Sequence, residues 1–427
     1  MEEVQISIES MAFKGFGVTR ANGKVIFIPY SVTGDEAWVE IVEEKKNYSI
    51  GKLKKIIKPS PWRVEPKCPY FGRCGGCHWQ HIDTSIQGEL KKEILREVLK
   101  RLGGLKEMPH ITLVPSPQPY GYRARVQLKA RGESIGYYQE RSHRLVAITH
   151  CPIAHPLINQ MLPPIRKALP FHTRMKEIEM NVSPEEGKGV LILHPLSFQQ
   201  GMENIMNDFL QAHPILKGIA VKKKEGLTFV GEPHLYFTIS LNRSGKKRYL
   251  KFRTSPESFF QINLEQNQRL IQTVMEFGDV KKDETVLDLY AGIGNFTLPL
   301  AIEAKEVLGI EENPMAVEDA QFNAEENGIK QCHFIPGRVE DVLKHWESER
   351  YDLIVLDPPR SGCKAVADQM VRLKPEKIVY ISCEPTIFSR DLRLFLEKGY
   401  QLQKLTLIDL FPQTYHMEVV ALLKSLY

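Results

Sequence analysis

From Asn263 onward the chain alternates short apolar runs with helical stretches of about a dozen residues, and this alternation narrows the possible folds more than any other feature. The runs are Thr285-Val286-Leu287-Asp288-Leu289-Tyr290, Glu306-Val307-Leu308-Gly309-Ile310, Cys332-His333-Phe334-Ile335, Tyr351-Asp352-Leu353-Ile354-Val355-Leu356 and Lys377-Ile378-Val379-Tyr380-Ile381. Strands apolar at both parities are buried on both faces, which requires a parallel sheet covered by helices. A doubly wound α/β domain is predicted over 259–427, closed by the strands at Leu405–Asp409 and Glu418–Leu423 with no crossover helix between them.

Upstream the texture differs. Residues 4–57 alternate apolar and polar positions, broken by Gly15, Gly17, Asn22-Gly23 and Gly34-Asp35, which predicts a small antiparallel barrel over 1–57 with a lysine-rich surface. Pro59, Pro61, Pro66 and Pro69 mark its edge. Residues 58–258 read as an α+β domain with basic clusters at Lys222–Lys224 and Lys246–Arg248. Within it Leu90, Ile94, Leu95, Val98, Leu99 and Leu102 recur at helical spacing, and the helix over 84–102 is free to pack on the catalytic domain. The fold class expected is therefore multidomain α/β.

Composition adds limits. Lys+Arg 57 against Asp+Glu 52 gives a net charge of +5, which admits an anionic partner without identifying one. No basic segment leads into an apolar stretch at the N-terminus, and no run of about 18 apolar residues occurs. A soluble, cytoplasmic, monomeric protein with no membrane partner is expected. Seven cysteines in such a chain argue against a disulfide framework.

Four motifs carry chemistry. The first α/β strand runs into Asp288-Leu289-Tyr290-Ala291-Gly292-Ile293-Gly294-Asn295, whose glycines let a nucleotide-like ligand approach the backbone. Glu311, at the tip of the next strand, can hold both ribose hydroxyls of an adenosine, while Phe296-Thr297 stands where a dinucleotide fingerprint needs its third glycine. S-adenosylmethionine fits better than NAD. Asp357-Pro358-Pro359-Arg360 then makes a rigid lip at the carboxyl edge of the sheet, and Arg360 replaces the aromatic that amino methyltransferases carry. Ser382-Cys383-Glu384-Pro385 places a thiol on the same edge, as covalent attack on a pyrimidine C6 requires before C5 becomes nucleophilic. A base must afterwards remove the C5 proton, and Glu418 is the nearest candidate. Cys68, Cys74, Cys77 and Cys151 form the fourth motif, and their spacing suits zinc or an iron–sulfur cluster equally.

Taken together, the sequence resembles the RNA uridine-5-methyltransferases, in particular the bacterial large-subunit rRNA enzymes with a TRAM domain and a [4Fe-4S] cluster. The resemblance rests on Gly15-Phe16-Gly17-Val18 and Asn22–Phe27 in the barrel, and on the four cysteines with Gly75-Gly76 and Gln80-His81. In the α/β domain it rests on Ser258–Asn263, Asp357–Gly362, Ser382–Pro385 and His416-Met417-Glu418. It implies a Rossmann-like methyltransferase domain, with Cys383 as nucleophile and Glu418 as proton acceptor. It further implies Gln261, Tyr290, Asn295, Glu311 and Asp357 around S-adenosylmethionine, and a [4Fe-4S] cluster on Cys68, Cys74, Cys77 and Cys151. Arg123 and Arg125 resemble the family's basic strand that faces the target RNA. Ala291 and Glu384 depart from the family pattern without removing a catalytic group. The implied reaction is methyl transfer to C5 of a uridine in RNA, first of all large-subunit rRNA. The alternatives are a tRNA uridine-5-methyltransferase and a non-catalytic RNA-binding or assembly protein that retains the fold.

Overall fold

The computed structural model describes residues 3–21, 23–105, 107–167, 175–197, 201–224, 226–243, 245–346 and 350–426; Asn22 and the side chain of Lys246 lie outside the described set. The N-terminal part holds β1 (Glu3–Ser7), β2 (Ser10–Ala12), β3 (Phe16–Ala21), β4 (Lys24–Ile28), β5 (Glu36–Glu44) and β6 (Tyr48–Lys58). They form one sheet of order β1-β5-β6-β4-β3-β2 around Ile6, Ile8, Ile26, Ile28, Ala37 and Val39. One pairing departs from the expected antiparallel pattern: β4 and β6 run parallel, with Ile26 opposite Ser49. The cause is the connection 29–35, too long for a hairpin turn, which carries the chain past one place in the sheet that β6 then fills. Asp35 fixes that connection by accepting from Val32 N at 2.8 Å, Ser60 N at 3.0 Å and the Arg63 guanidinium.

Next come α1 (Thr84–Leu102), β7 (Ile111–Val114), β8 (Arg125–Arg131), β9 (Ser134–Tyr138), β10 (Leu145–Ala147), α2 (Pro156–Lys167), β11 (Met175–Ser183) and β12 (Lys188–Pro195). They are followed by α3 (Met202–Ala212), β13 (Leu216–Lys223), β14 (Gly226–Gly231), β15 (Leu235–Arg243) and β16 (Lys246–Thr254). Strands β8 to β14 make a seven-stranded sheet of order β10-β9-β8-β11-β12-β13-β14, and β15 pairs only with β16. Val126, Leu128, Ile178, Met180, Leu191 and Leu193 bury one face beneath α2. Arg125, Gln127, Lys129, Glu177 and Glu179 alternate with them and so occupy the other.

The last part contains α4 (Leu264–Gly278), β17 (Thr285–Leu289), α5 (Thr297–Ala301), β18 (Glu306–Glu311), α6 (Pro314–Glu326), β19 (Cys332–Pro336) and α7 (Val339–Lys344). It ends with β20 (Leu353–Leu356), α8 (Ala367–Arg372), β21 (Lys377–Ser382), α9 (Pro385–Glu397), β22 (Tyr400–Ile408) and β23 (Glu418–Ser425). The sheet order is β19-β18-β17-β20-β21-β23-β22-β7. Its parallel strands β20 and β21 are buried at every position, as apolar runs without alternation require. Strand β23 runs antiparallel to both neighbours.

Residues 58–258 are not all in the central unit. Strand β7 extends the catalytic sheet, pairing parallel to β22 with Ile111 opposite Leu405, and so leaves β22 no open edge. Helix α1 packs between β7 and α9. Gly88 permits the close approach, since a Cβ there would stand 2.9 Å from a Leu113 methyl. Among the described residues no helix is long and apolar enough to cross a membrane.

Candidate active site

Five adjacent strands of the catalytic sheet, β18-β17-β20-β21-β23, end or begin on one edge. On that edge Glu311 closes β18, Tyr290 follows β17, Asp357 follows β20, Cys383 follows β21 and Glu418 opens β23. The register makes the order physical. Ser382 lies opposite Val419, so the next residues along the two strands, Cys383 and Glu418, are neighbours. Leu356 lies opposite Tyr380, which brings Asp357 beside the end of β21. At ~4.8 Å per strand the edge from Glu311 to Cys383 spans roughly 14 Å, about the reach of a nucleoside with an extended side chain.

A cavity of about 980 Å³ covers this edge, lined by Gln261, Tyr290, Gly292, Glu311, Asp357, Cys383 and Glu418 together with Arg123 and the four N-terminal-half cysteines. Its cofactor end is built by backbone conformation. Tyr290, Gly292 and Gly294 hold left-handed φ values of 64, 55 and 86°. A Cβ on Gly292 would meet no atom within 4 Å, so the backbone there borders open space, whereas one on Gly294 would stand 2.3 Å from Leu298. Glu311 accepts from Gly292 N at 2.9 Å and Asn313 N at 2.8 Å, which orients the carboxylate and leaves lone pairs on both oxygens. Tyr290 donates to Glu340 at 3.2 Å. Beneath the loop Asp288 accepts from Thr297 at 2.5 Å, and burial pushes its carboxyl up to about 7.

The other end is acidic, with Glu418 buried and Asp357 and Cys383 half-buried. Burial, then the charges of Glu418 and Asp357, push the Cys383 thiol up to about 12; the Arg360 guanidinium opposes this by donating a hydrogen bond to the sulfur and by its charge. Burial also pushes Asp357 up to about 7 and holds Glu418 well above the carboxylate range, with Asp357 adding to the latter and Arg360 opposing it. Glu418 is 2% exposed. Burial holds nearby His416 down at about 3, so its ring is neutral. The site thus has a thiol, two protonatable carboxyls and one facing cation, which suits addition followed by proton abstraction better than hydride or phosphoryl transfer.

Cys68, Cys74, Cys77 and Cys151 form the far wall of the same cavity and are all free thiols. Burial raises each of the four, Cys74 to about 11 and Cys77 to about 12, and each of the first three is raised further by the charge of Cys151. Among the described residues the one group of three or more metal-ligating atoms within 4.8 Å of one another is Glu177, Glu179 and His194, so the sulfurs stand wider than that. Glu177 and Glu179 are already paired with Lys129 and Arg125.

Two expected site residues point elsewhere. Asn295 forms a reciprocal amide pair with Asn267 at 2.8 and 3.0 Å and does not line the cavity. Arg125 pairs with Glu179 at 2.8 Å on the polar face of the central sheet, whereas Arg123 does line the cavity, its Nε donating to Arg125 O. Arg360, read from the sequence as the residue that replaces the aromatic of amino methyltransferases, also faces the Cys383 sulfur; the signal for that was a cation directly after the rigid turn. Glu340 carried no signal.

The tRNA (uracil-5-)-methyltransferase family model matches residues 84–426, and the TRAM domain of tRNA (uracil(54)-C(5))-methyltransferase matches residues 4–62. The chain is 35% identical to an uncharacterized RNA methyltransferase of Aquifex aeolicus over 99% of this chain and 98% of that one. It is 34% identical to a 23S rRNA (uracil(1939)-C(5))-methyltransferase of Pectobacterium atrosepticum over 99% and 93%. In structure it is similar to the Pyrococcus abyssi tRNA (uracil-54, C5)-methyltransferase in complex with S-adenosyl-L-homocysteine, with a TM-score of 0.75, 25% identity and coverage of 98% and 100%.

Proposed function

Since this chain belongs to the tRNA (uracil-5-)-methyltransferase family and is an S-adenosylmethionine-dependent RNA uracil-5-methyltransferase, we propose that it methylates a uridine of large-subunit rRNA through an adduct between Cys383 and C6. The observation that carries the reading is the register that sets Cys383 beside Glu418, with Asp357 on the next strand and Glu311 at the far end of one cavity. When bound, S-adenosylmethionine supplies an electrophilic methyl and a positive sulfonium, which favours the ionised forms of the acids and the thiol that face it.

Arg360 works in the same direction on Cys383. Cys383 gives up its proton to solvent, the thiolate sulfur bonds to C6, and the C5–C6 electron pair it displaces becomes an enolate, making C5 nucleophilic. After C5 takes the methyl, Glu418 accepts the C5 proton, the C6–S bond breaks and the thiolate leaves. Burial of Glu418 excludes water from the proton it handles. Gln261, Tyr290, Glu311 and Asp357 hold the cofactor, and Arg123 holds the RNA. Asn295 acts on the same loop through Asn267.

The four cysteines are read as ligands of a [4Fe-4S] cluster that pins residue 151 to residues 68–77. One zinc ion with Zn–S of ~2.3 Å needs its sulfurs roughly 3.8 Å apart, closer than any three of them stand, whereas a polynuclear cluster spreads its ligands. A cytoplasmic monomer completes the proposal. The rRNA reading is favoured by 34% identity to an rRNA enzyme over nearly the whole chain; the likeness to the Pyrococcus abyssi protein supports tRNA as the second substrate class.

Incubation with labelled S-adenosylmethionine and either rRNA or tRNA tests both readings, and label anywhere but uracil C5 refutes them. On a denaturing gel Glu418→Gln should accumulate a methylated protein–RNA adduct, and Cys383→Ala none. An adduct from Cys383→Ala would remove Cys383 from the mechanism.

A further inference from the structure

A second cleft, of about 650 Å³, opens beside the first and shares Gly75, His78, Arg360 and His416 with it. Its other walls come from separate parts of the chain: Lys14 from the turn between β2 and β3, Tyr138 to His143 from the loop between β9 and β10, and Tyr415. Its size falls among ligand-sized sites, roughly 300–1,000 Å³. A strand whose uracil reached Cys383 would pass Arg360 to enter it.

The chemistry of these walls is specific. Lys14, Arg141 and Arg360 face one acid, Glu140, which already lies 3.7 Å from Arg141 and 3.5 Å from the Tyr30 hydroxyl. The cleft is therefore net cationic. Tyr138 is 38% exposed and meets His143 edge to face at 5.5 Å, and Tyr415 stacks at a tilt on His78 at 4.5 Å, so aromatic rings line the cleft along with the cations. The Arg141 guanidinium rests 5.3 Å over the Phe16 ring, which fixes its charge at the rim. Lys14 and Arg141 both hold left-handed backbone, φ 71 and 54°, where glycine would be less strained. Long cationic side chains at two strained turns, both lining one cleft, call for an anionic occupant.

We propose that this cleft seats a nucleotide adjoining the target uridine, its phosphate between Lys14 and Arg141 and its base against Tyr138 or Tyr415. The proposal rests on the RNA-methyltransferase reading and extends it from the reacting base to its neighbour. It also gives the N-terminal sheet a role at the active site, since Lys14 reaches the cleft from that sheet.

The test uses the full-length protein and an RNA transcript. Failure of the wild type to transfer labelled methyl to uridine would refute the underlying reading, independently of the cleft. With a methylated transcript identified, 4-thiouridine is placed one residue before or after the target and irradiated, and the crosslinked peptide is identified by mass spectrometry. One position should crosslink within 138–143 or at Tyr415; crosslinks confined to other peptides from both positions would overturn the proposal. In parallel the Lys14→Gln/Arg141→Gln variant should bind the transcript about tenfold more weakly, with a salt dependence shallower by about 0.7 in log–log slope, the value for one single-strand phosphate contact. Its S-adenosylmethionine affinity and thermal midpoint should match the wild type. Arg141→Lys, which keeps the charge, should recover much of the affinity. Unchanged affinity and slope in the double variant would also overturn the proposal.

Discussion

Replacing Arg360 by methionine should slow reaction of the Cys383 thiolate by about tenfold. Burial and two acids hold the thiol at about 12, and Arg360 is the cation that opposes them. An opposite charge within hydrogen-bonding range shifts such a group by about 1–3 units. Arg360 is exposed, so water screens it, and the lower end of that range applies. One unit is about tenfold in thiolate fraction. Because a thiol near 12 stays mostly protonated through neutral pH, thiolate rises about tenfold per pH unit, and log rate against pH should have unit slope. The assay is iodoacetamide labelling without RNA or cofactor, followed on the Cys383 peptide by mass spectrometry. Wild type and Arg360→Met should give parallel lines about one log unit apart, with Arg360→Lys between them. Coincident lines would show that the guanidinium is not felt at the sulfur. A plateau between pH 7 and 9 in the wild type would refute the raised thiol itself.

Two further outcomes follow from buried groups. Lys91 is wholly buried and donates to Asp409 at 2.6 Å and Phe411 O at 3.0 Å, so Lys91→Met strands a carboxylate and should cost about 3–5 kcal/mol in urea unfolding; a cost under about 1 kcal/mol would mean that Asp409 finds water instead. Protein purified without oxygen should carry iron and sulfide, about four of each per chain, and Cys151→Ser should lose them; stoichiometric zinc without iron would overturn the cluster assignment.

The α/β sheet was legible because parallel strands covered on both sides leave apolar runs alternating with helical stretches, and because Tyr290, Glu311, Asp357 and Cys383 end or directly follow such runs while Glu418 opens one. What escaped the sequence depends on distant partners. Strand β7 is four residues long and apolar, like many short core segments, and only its pairing with β22, nearly 300 residues later in the chain, identifies it. Lys91 interrupts the apolar stripe of α1 and reads as solvated, yet its partner Asp409 is 318 residues away. Asn295 sits in a glycine loop where a cofactor contact is the natural reading, but Asn267 on α4 satisfies both ends of its amide. Arg125 was expected to face RNA, and a cross-strand carboxylate on β11 pairs with it. In each case the contact is made with a partner far away in the sequence.

Long-range partners, Lys91 among them, converge on one place, the connection between β22 and β23 that leads to Glu418. Gln413 sits there at φ 68°; its N–H donates to Gln87 on α1 at 2.8 Å, and its carbonyl accepts from His78 N at 3.1 Å and Trp79 N at 3.0 Å. Tyr122 donates to Pro412 O at 3.0 Å, Asn263 to Leu410 O at 3.1 Å, and Lys91 to Asp409 and Phe411. Donors from the cysteine loop, α1, the segment before β8 and the start of α4 therefore satisfy a buried loop whose own residues do not form a sheet ladder. A buried loop with unmet carbonyls would be costly, so these donors are what allow it to stay dry and fixed. In its proposed role as base, Glu418 would have to be held within hydrogen-bond reach of one carbon-bound proton, a placement that tolerates little drift. The carboxylate's position is thus set by residues at 78–91, 122 and 263, and the cysteine loop, through His78 and Trp79, bears directly on the backbone that carries it.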